Sequence, residues 1–305
     1  MNNNKYEDEI DLKKLFLIIW DRKSLVLSFT TIAAIFSVFY SLSLPNLYTS
    51  SAVLAPTTQE DSLSSKLGSF SGLASFAGVE IPGSNATKSQ EAIKRIKSFD
   101  FFSKFFLSNI KLENLMALDE WIQNGNTLIY DEKMFDDKTG KWVRKVSFPQ
   151  TVIPSDQEAY RKYKNILNIT NDADTGFVTL SIEHRSPIIA KKWVDIVIYN
   201  INESMRELDK SKAQNSINFL NESIKSTNVQ SIREVVAKLQ ETQMQTLMLA
   251  SSEKEYIFKT LDSAIVPERK SAPNRAVICI LGTLLGGILS LLIVFVQVYR
   301  ESSKT

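Results

Sequence analysis

The chain has 305 residues, and its 36 lysine and arginine residues nearly balance its 34 aspartate and glutamate residues. A net charge of +2 gives no reason to expect a nucleic-acid partner. One cysteine excludes a disulfide framework within the chain, and one cysteine with one histidine excludes a Cys/His zinc site. Catalysis of the Ser-His or Cys-His type would have to use His184, the only histidine.

The first strong pattern is an apolar block over residues 24–44, which holds 21 residues without a charge. A helix of about 20 residues crosses the bilayer core, so this block predicts transmembrane helix 1 after an N-terminal tail of residues 1–23. A cleaved signal peptide is the alternative, but its apolar region is usually shorter. Arg22 and Lys23 precede the block closely, and the next charged residue after it is Glu60. This asymmetry predicts a cytoplasmic N-terminus.

The segment after this block predicts a mixture of strands, loops and short helices. Residues 48–56 (YTSSAVLAP) predict a strand, and residues 57–86 predict a loop because they are rich in Ser and Gly. Residues 89–109 have helical apolar spacing, with a break near residues 98–100. Residues 124–147 predict loops and hairpins.

A capped helix and a hairpin are predicted next. Ser155 with Glu158 fits a capping box for a helix over residues 156–167. Residues 165–170 and 176–183 flank the turn sequence NDADT, and the second run alternates as a strand does.

A long helix follows the predicted hairpin. Ser186 and Pro187 suit the N-cap and the first position of a helix. Apolar residues at helical spacing continue it over residues 187–224, about 57 Å at 1.5 Å per residue. That length exceeds an ordinary globular helix, so long helices over about 187–257 predict a protruding arm or a helix–helix assembly. A returning strand is predicted over residues 258–266.

The second apolar block, residues 276–298, holds 23 residues without a charge and predicts transmembrane helix 2. Two spans place both tails, including residues 299–305, on the cytoplasmic side. Residues 45–275 would then form an extracytoplasmic domain of 231 residues. Pro267 and Pro273 would keep the chain extended before the second span, either as a fixed entry or as an ordinary interfacial linker.

Both apolar blocks carry small residues at a four-residue spacing, which places them on one helix face. Such faces let helices approach closely in lipid and drive their association, although chance spacing is the alternative. We therefore predict helix packing in the membrane, and assembly of the protein, at these residues. The residues at this spacing are Ala33, Ser37 and Ser41 in the first block and Gly282, Gly286 and Ser290 in the second, and Gly287 next to Gly286 is assigned to the same packing.

Several segments resemble the Wzz-type O-antigen chain-length determinants, the class 1 polysaccharide co-polymerases. They are EIDLKKLFLIIWDRK, YTSSAVLAP, GFVTLSIEHRSPIIAKKWVDIVIYNINESMRE and AIVPERKSAPNRAVICILGTLLGG. The matching positions in the third segment are Pro187, Ala190 and Asn202. Those in the fourth are Pro267, Pro273, Gly282, Gly286 and Gly287.

The resemblance implies an α+β fold in which two transmembrane helices flank a periplasmic α/β base with a long helical arm. It implies a ring-shaped homo-oligomer in the inner membrane of a Gram-negative bacterium. It also implies a non-enzymatic regulator of the modal chain length of lipopolysaccharide O-antigen. The implied partners are a separate O-antigen polymerase, lipid-linked polysaccharide and membrane lipids, without a cofactor or metal.

Other functions remain open at this point. One is a co-polymerase for enterobacterial common antigen or an exopolysaccharide, and another is a two-span periplasmic ligand-binding tether. A membrane-anchored glycan enzyme could use the paired carboxylates Asp119 and Glu120, or Asp172 and Asp174. Acidic pairs in turns are usually just part of the turn, and no acid–base partner can be placed beside His184, so we expect these residues to be structural.

Overall fold

The computed structural model describes residues 20–57, 87–226 and 229–302. The chain divides into an end unit, made of Met1–Asn46 and Ser271–Thr305, and a middle unit, Leu47–Lys270. The loop predicted over residues 57–86 lies outside the described residues from residue 58 onward.

Helices and strands alternate along the described chain, as expected for a mixed α/β protein. The helices are α1 (Lys23–Ser43), α2 (Lys88–Ile96), α3 (Phe99–Phe101), α4 (Leu112–Met116), α5 (Asp156–Ile166), α6 (Pro187–Ser226), α7 (Gln230–Ser252) and α8 (Arg275–Ser302). The strands are β1 (Tyr48–Pro56), β2 (Leu118–Ile122), β3 (Thr127–Tyr130), β4 (Phe135–Asp136), β5 (Lys141–Trp142), β6 (Leu167–Asn171), β7 (Val178–His184) and β8 (Phe258–Asp262). A π-helical turn, Phe102–Phe106, and a 3-10 turn, Leu107–Asn109, continue α3.

The middle unit is built on a four-stranded antiparallel sheet in the order β6-β7-β1-β8. The strand predicted over residues 48–56 and the hairpin around NDADT are confirmed as β1 and as β6 with β7. The returning strand is confirmed too, but β8 ends at Asp262, earlier than predicted. The pairs β2–β3 and β4–β5 are separate hairpins, and β3, β4 and β5 lie in the region predicted to hold hairpins, whereas β2 begins earlier, at Leu118.

The core lies where α6 packs against β1 and β7. Alternation along β7 puts Val178, Leu180 and Ile182 on the buried face. Trp193 on α6 joins an aromatic cluster from α3, the π-helical turn and α5. The cluster predicted from the phenylalanine-rich segment is therefore part of the core.

The long helix is confirmed as α6, which has 40 residues and is about 60 Å long. It begins where predicted, because the Ser186 Oγ accepts a hydrogen bond from the Ile189 N–H at 3.4 Å. Beyond the core, Ala213 and Ile217 stay buried while α7 packs along α6. We call the pair of helices α6 and α7 the helical arm.

Two predicted details differ from the structure. The helix α7 ends at Ser252 rather than near residue 257, because Ile257 is buried in the turn that leads into β8. The Ser155 hydroxyl caps α5 by accepting from the Glu158 N–H at 3.3 Å. The Glu158 carboxylate does not complete the capping box, since it forms a two-point salt bridge with Arg144 at 2.5 and 3.1 Å.

The end unit consists of α1 and α8 packed against each other. Both helices are long and apolar enough to cross a membrane. The chain therefore fits a two-span membrane protein with a large unit between its spans.

Candidate functional site

The small residues of α1 and α8 lie directly opposite each other. A Cβ atom placed on Gly282 would be 2.4 Å from the Ser37 Cβ, and one placed on Gly286 would be 2.2 Å from the Ala33 Cβ. Real Cβ atoms do not approach so closely, so only glycine fits at these two positions. The two backbones thus meet at a distance that no larger residue allows.

The remaining small residues extend this contact along both helices. Ser41 and Ser290 are buried, and a Cβ on Gly287 would meet only the Thr30 Oγ1, at 3.9 Å. The Ser290 hydroxyl donates to the Gly287 carbonyl of its own helix at 2.6 Å, so it does not link the helices. The contact joins two spans of one chain, and its part in assembly between chains stays a prediction.

Asn202 ties α6 to the start of β8. Its Oδ1 accepts from the Ile257 N–H at 2.8 Å and the Phe258 N–H at 2.9 Å. Its Nδ2 donates to the carbonyls of Phe258 at 3.1 Å and Ile198 at 3.2 Å. The buried amide thereby pairs with two backbone N–H groups and one carbonyl at the start of β8.

The other positions of the family-like segments have simpler surroundings. Pro187 is the first residue of α6, and Ala190 is fully buried one turn later. Pro267 and Pro273 lie outside helices and strands, and α8 begins at Arg275. Their proposed role in setting the entry into the second span stays a prediction.

A second polar cluster, which the sequence did not reveal, lies further along α6. The Asp209 carboxylate accepts from the Lys88 Nζ at 2.6 Å and from the Tyr256 hydroxyl at 2.8 Å. Burial and the nearby Asp209 carboxylate raise the pKa of Tyr256. These residues are far apart in sequence and belong to no motif, so no sequence pattern pointed to them.

His184 is buried and structural. Its Nδ1 accepts from the Ser186 N–H at 3.0 Å, so its Nε2 is the nitrogen that donates to the Asn114 carbonyl at 3.0 Å. The ring lies 4.6 Å from the Trp193 ring, and burial lowers the pKa of His184 to about 4. The imidazole therefore stays neutral and both its nitrogens are occupied.

One carboxylate of each pair considered for catalysis has a structural partner. Asp119 forms a salt bridge with Arg185 at 2.7 Å, and it lies in β2 rather than in a turn. Asp172 accepts from the Asp174 N–H at 2.9 Å, and hydrogen bonds of this turn lower the pKa of Asp172. Among the residues that the structure describes, no group of three His, Cys, Asp or Glu side chains could hold a metal ion.

Two apolar helices, one near each end of the chain, flank in sequence a mixed α/β unit with a long helical arm, and this order of elements defines the class of protein. Two family models match the chain. The model "Chain length determinant protein" (Wzz) matches residues 8–109, and the model "G-rich domain on putative tyrosine kinase" (GNVR) matches residues 225–299. The first model covers about a third of the chain and the second about a quarter, so the chain carries a Wzz chain-length determinant domain and a GNVR domain.

Solved structures give more distant similarities. A full-length bacterial polysaccharide co-polymerase is 15% identical, with a TM-score of 0.40, over 97% of this chain and 99% of that one. A fragment of WzzB, a polysaccharide co-polymerase from Salmonella Typhimurium, is 13% identical, with a TM-score of 0.29, over 74% of this chain and 100% of that one. No curated protein sequence matches. The family assignment rests on the two family models.

Proposed function

We propose that the chain is a non-enzymatic regulator of the modal chain length of lipopolysaccharide O-antigen. It acts with a separate O-antigen polymerase in the inner membrane of a Gram-negative bacterium, on lipid-linked polysaccharide. The observation that carries the proposal is the match to the chain-length determinant model over residues 8–109. This range includes α1 and β1, so the matched segment covers both the first apolar helix and a strand of the sheet in the middle unit.

The topology of the proposal follows from charge and exposure. Arg22 precedes α1 and Lys23 is its first residue, which supports a cytoplasmic N-terminus and a periplasmic middle unit. Large apolar side chains of both helices, such as Phe36 and Ile280, are exposed within the chain and suit contact with lipid. Copies of the chain form a ring-shaped homo-oligomer, in keeping with the family resemblance.

A role without catalysis is supported by the residues that chemistry would need. His184 is neutral and enclosed, with both ring nitrogens occupied. Asp119 is held by Arg185, and Asp172 is held by its own turn. A general acid or base must reach the reacting group, and these side chains serve the fold instead.

A second candidate is a co-polymerase for enterobacterial common antigen or an exopolysaccharide. The match to the GNVR model over residues 225–299 favours keeping this candidate, because that domain is named for putative tyrosine kinases and not for chain-length determinants. The two candidates share the regulatory role and differ only in the polymer.

Deletion of the gene tests both candidates. Surface polysaccharides of the parent, the deletion strain and a complemented strain are separated on gels, with O-antigen, common antigen and secreted polymer analysed in parallel. Loss of the modal O-antigen band, with total polymer still made, supports the first candidate. An altered length of another polymer with an unchanged O-antigen ladder supports the second. Unchanged lengths of all three polymers would refute the regulatory role.

A further inference from the structure

The middle unit has an open groove of about 430 Å³ between α6 and the chain around the start of β8. One wall is a single face of α6, where Asp195, Tyr199, Glu203 and Arg206 follow at helical spacing. The opposite wall includes Glu255 of the connection between α7 and β8. The volume falls within the range of about 300–1,000 Å³ that small-molecule sites occupy.

Tyr199 gives this groove an aromatic surface that is available for contact. Its side chain belongs to α6, in the part of the helix that packs on the sheet, yet it is 68% exposed. A tyrosine ring combines an apolar face with a hydroxyl that hydrogen-bonds, and such rings are common where one side of a ligand is apolar and the other polar. An exposed ring at a groove is therefore suited to bind a flat molecule with both characters.

The polar side chains around the ring are held in place by bonds within the chain. Asp195 accepts from the Lys191 Nζ at 2.6 Å, and Glu203 forms a salt bridge with Arg206. Glu255 accepts from the Thr260 N–H at 3.0 Å. Each carboxylate keeps further lone pairs for a ligand, and groups that are already ordered lose less entropy on binding.

The charged side chains that line the groove limit the class of ligand that it can bind. Three carboxylates, Asp195, Glu203 and Glu255, face two cations, Arg206 and Lys254, so the groove does not favour a phosphate or another polyanion. An apolar ligand would cover the remaining lone pairs of these carboxylates without bonding to them. A ring with an apolar face and a rim of hydroxyl groups satisfies both the tyrosine and the polar side chains.

We propose that this groove binds a short stretch of neutral sugar rings, with Tyr199 stacked against one ring and the carboxylates and Arg206 bonded to its hydroxyl groups. The inference rests on the proposed function, since it assigns a contact site for the polymer whose length the protein would regulate. It places that contact at the base of the helical arm, beside the turn that Asn202 holds.

Direct binding tests this site in the full-length protein, purified in detergent. The probe is a set of neutral oligosaccharides released by mild acid from the surface polysaccharide of the host strain, and binding is followed by saturation-transfer NMR. Tyr199→Ala is expected to weaken binding about 2- to 10-fold, the range that a lost aromatic contact implies. Tyr199→Phe should retain most of the binding, because the ring is kept.

The matched control is Phe219→Ala. Phe219 is an aromatic residue of the same helix with nearly the same exposure, 69%, but it does not line the groove. Its loss is expected to leave oligosaccharide binding unchanged. Oligomer size is measured for every variant by chemical cross-linking, because a groove can also be a contact between copies of the chain.

Each outcome decides the proposal. Weaker binding by Tyr199→Ala at unchanged oligomer size supports it. Equal binding by both alanine variants, no binding by the wild type, or a change of oligomer size in Tyr199→Ala would overturn it. The gene deletion separates failure of this site from failure of the proposed function. An altered polymer ladder in the deletion strain, together with no binding in the groove, would refute the groove as a binding site and leave the regulatory role in place. An unaltered ladder would refute the regulatory role.

Discussion

The end unit and the middle unit of this chain differ in what holds their buried contacts together. In the end unit, α1 and α8 approach because Gly282 and Gly286 have no side chain, and the Ser41 hydroxyl has no hydrogen-bond partner among the described residues. In the middle unit, Asn202 and His184 are buried with their hydrogen-bonding atoms paired. The membrane contact therefore depends on shape, whereas the base of the arm depends on hydrogen bonds.

The largest expected effect comes from filling the contact between the spans. Gly282→Leu combined with Gly286→Leu is expected to separate α1 from α8, since each new Cβ would overlap a side chain of the other helix. Overpacking costs about 1–3 kcal/mol at each site, and both sites lie in the same helix–helix contact. Loss of a disulfide cross-link between cysteines introduced in the two spans, together with loss of normal modal length, is the expected result.

A pair of milder variants controls this prediction. Gly286→Ala places a methyl group 2.2 Å from the Ala33 Cβ, whereas Gly287→Ala meets only the Thr30 Oγ1 at 3.9 Å. The first variant should weaken the contact and the second should not. Normal oligomers, normal cross-linking and normal modal length in the double leucine variant would show that neither packing nor assembly depends on these glycines.

The next effect concerns the hydrogen bonds of Asn202. Asn202→Leu leaves the buried N–H groups of Ile257 and Phe258 without their acceptor, and an unpaired buried group costs about 1–3 kcal/mol. We expect the middle unit to lose roughly 2–4 kcal/mol and its α7–β8 connection to become sensitive to protease. Limited proteolysis and thermal unfolding of the full-length protein measure both changes.

Asn200 offers the matched control for Asn202. It is also buried on α6, but its Nδ2 donates at 2.8 Å only to the Ile196 carbonyl of its own helix. Asn200→Leu should therefore cost less than Asn202→Leu and leave the connection protected. Equal protease sensitivity in the two variants would contradict the idea that Asn202 holds the turn.

This contrast explains how much the sequence could reveal. The spans, the β6–β7 hairpin and α6 follow from local patterns, namely uncharged length, alternation and helical spacing. The bonds from Asn202 to Phe258 join residues that only the fold brings together. Four-residue spacing identified Gly282 and Gly286, but not that Ser37 and Ala33 lie opposite them. The groove at Tyr199 could not be predicted, because its second wall comes from a distant part of the chain.

The smallest expected effect is a pH dependence that distinguishes the two units. Burial lowers the pKa of His184 to about 4, whereas an unfolded histidine has a pKa of about 6.5. Below pH 6.5 the unfolded chain binds the proton first, so the stabilising contribution of the neutral imidazole is complete above that pH and is lost as the pH falls toward 4. Between pH 7 and pH 5 this amounts to about 2 kcal/mol at most.

Thermal unfolding from pH 7 to pH 5 measures this loss in the middle unit, with His184→Gln as the comparison variant. The wild type should lose stability across the range, and the variant, which has no imidazole to titrate, should lose less. Cross-linking between α1 and α8 should not change over the same range, because Gly282, Gly286, Ala33 and Ser37, which form their contact, carry no titratable group. If His184→Gln shows the same pH dependence as the wild type, other groups are responsible. A span contact that weakens in parallel would show that the two units do not respond to acid separately.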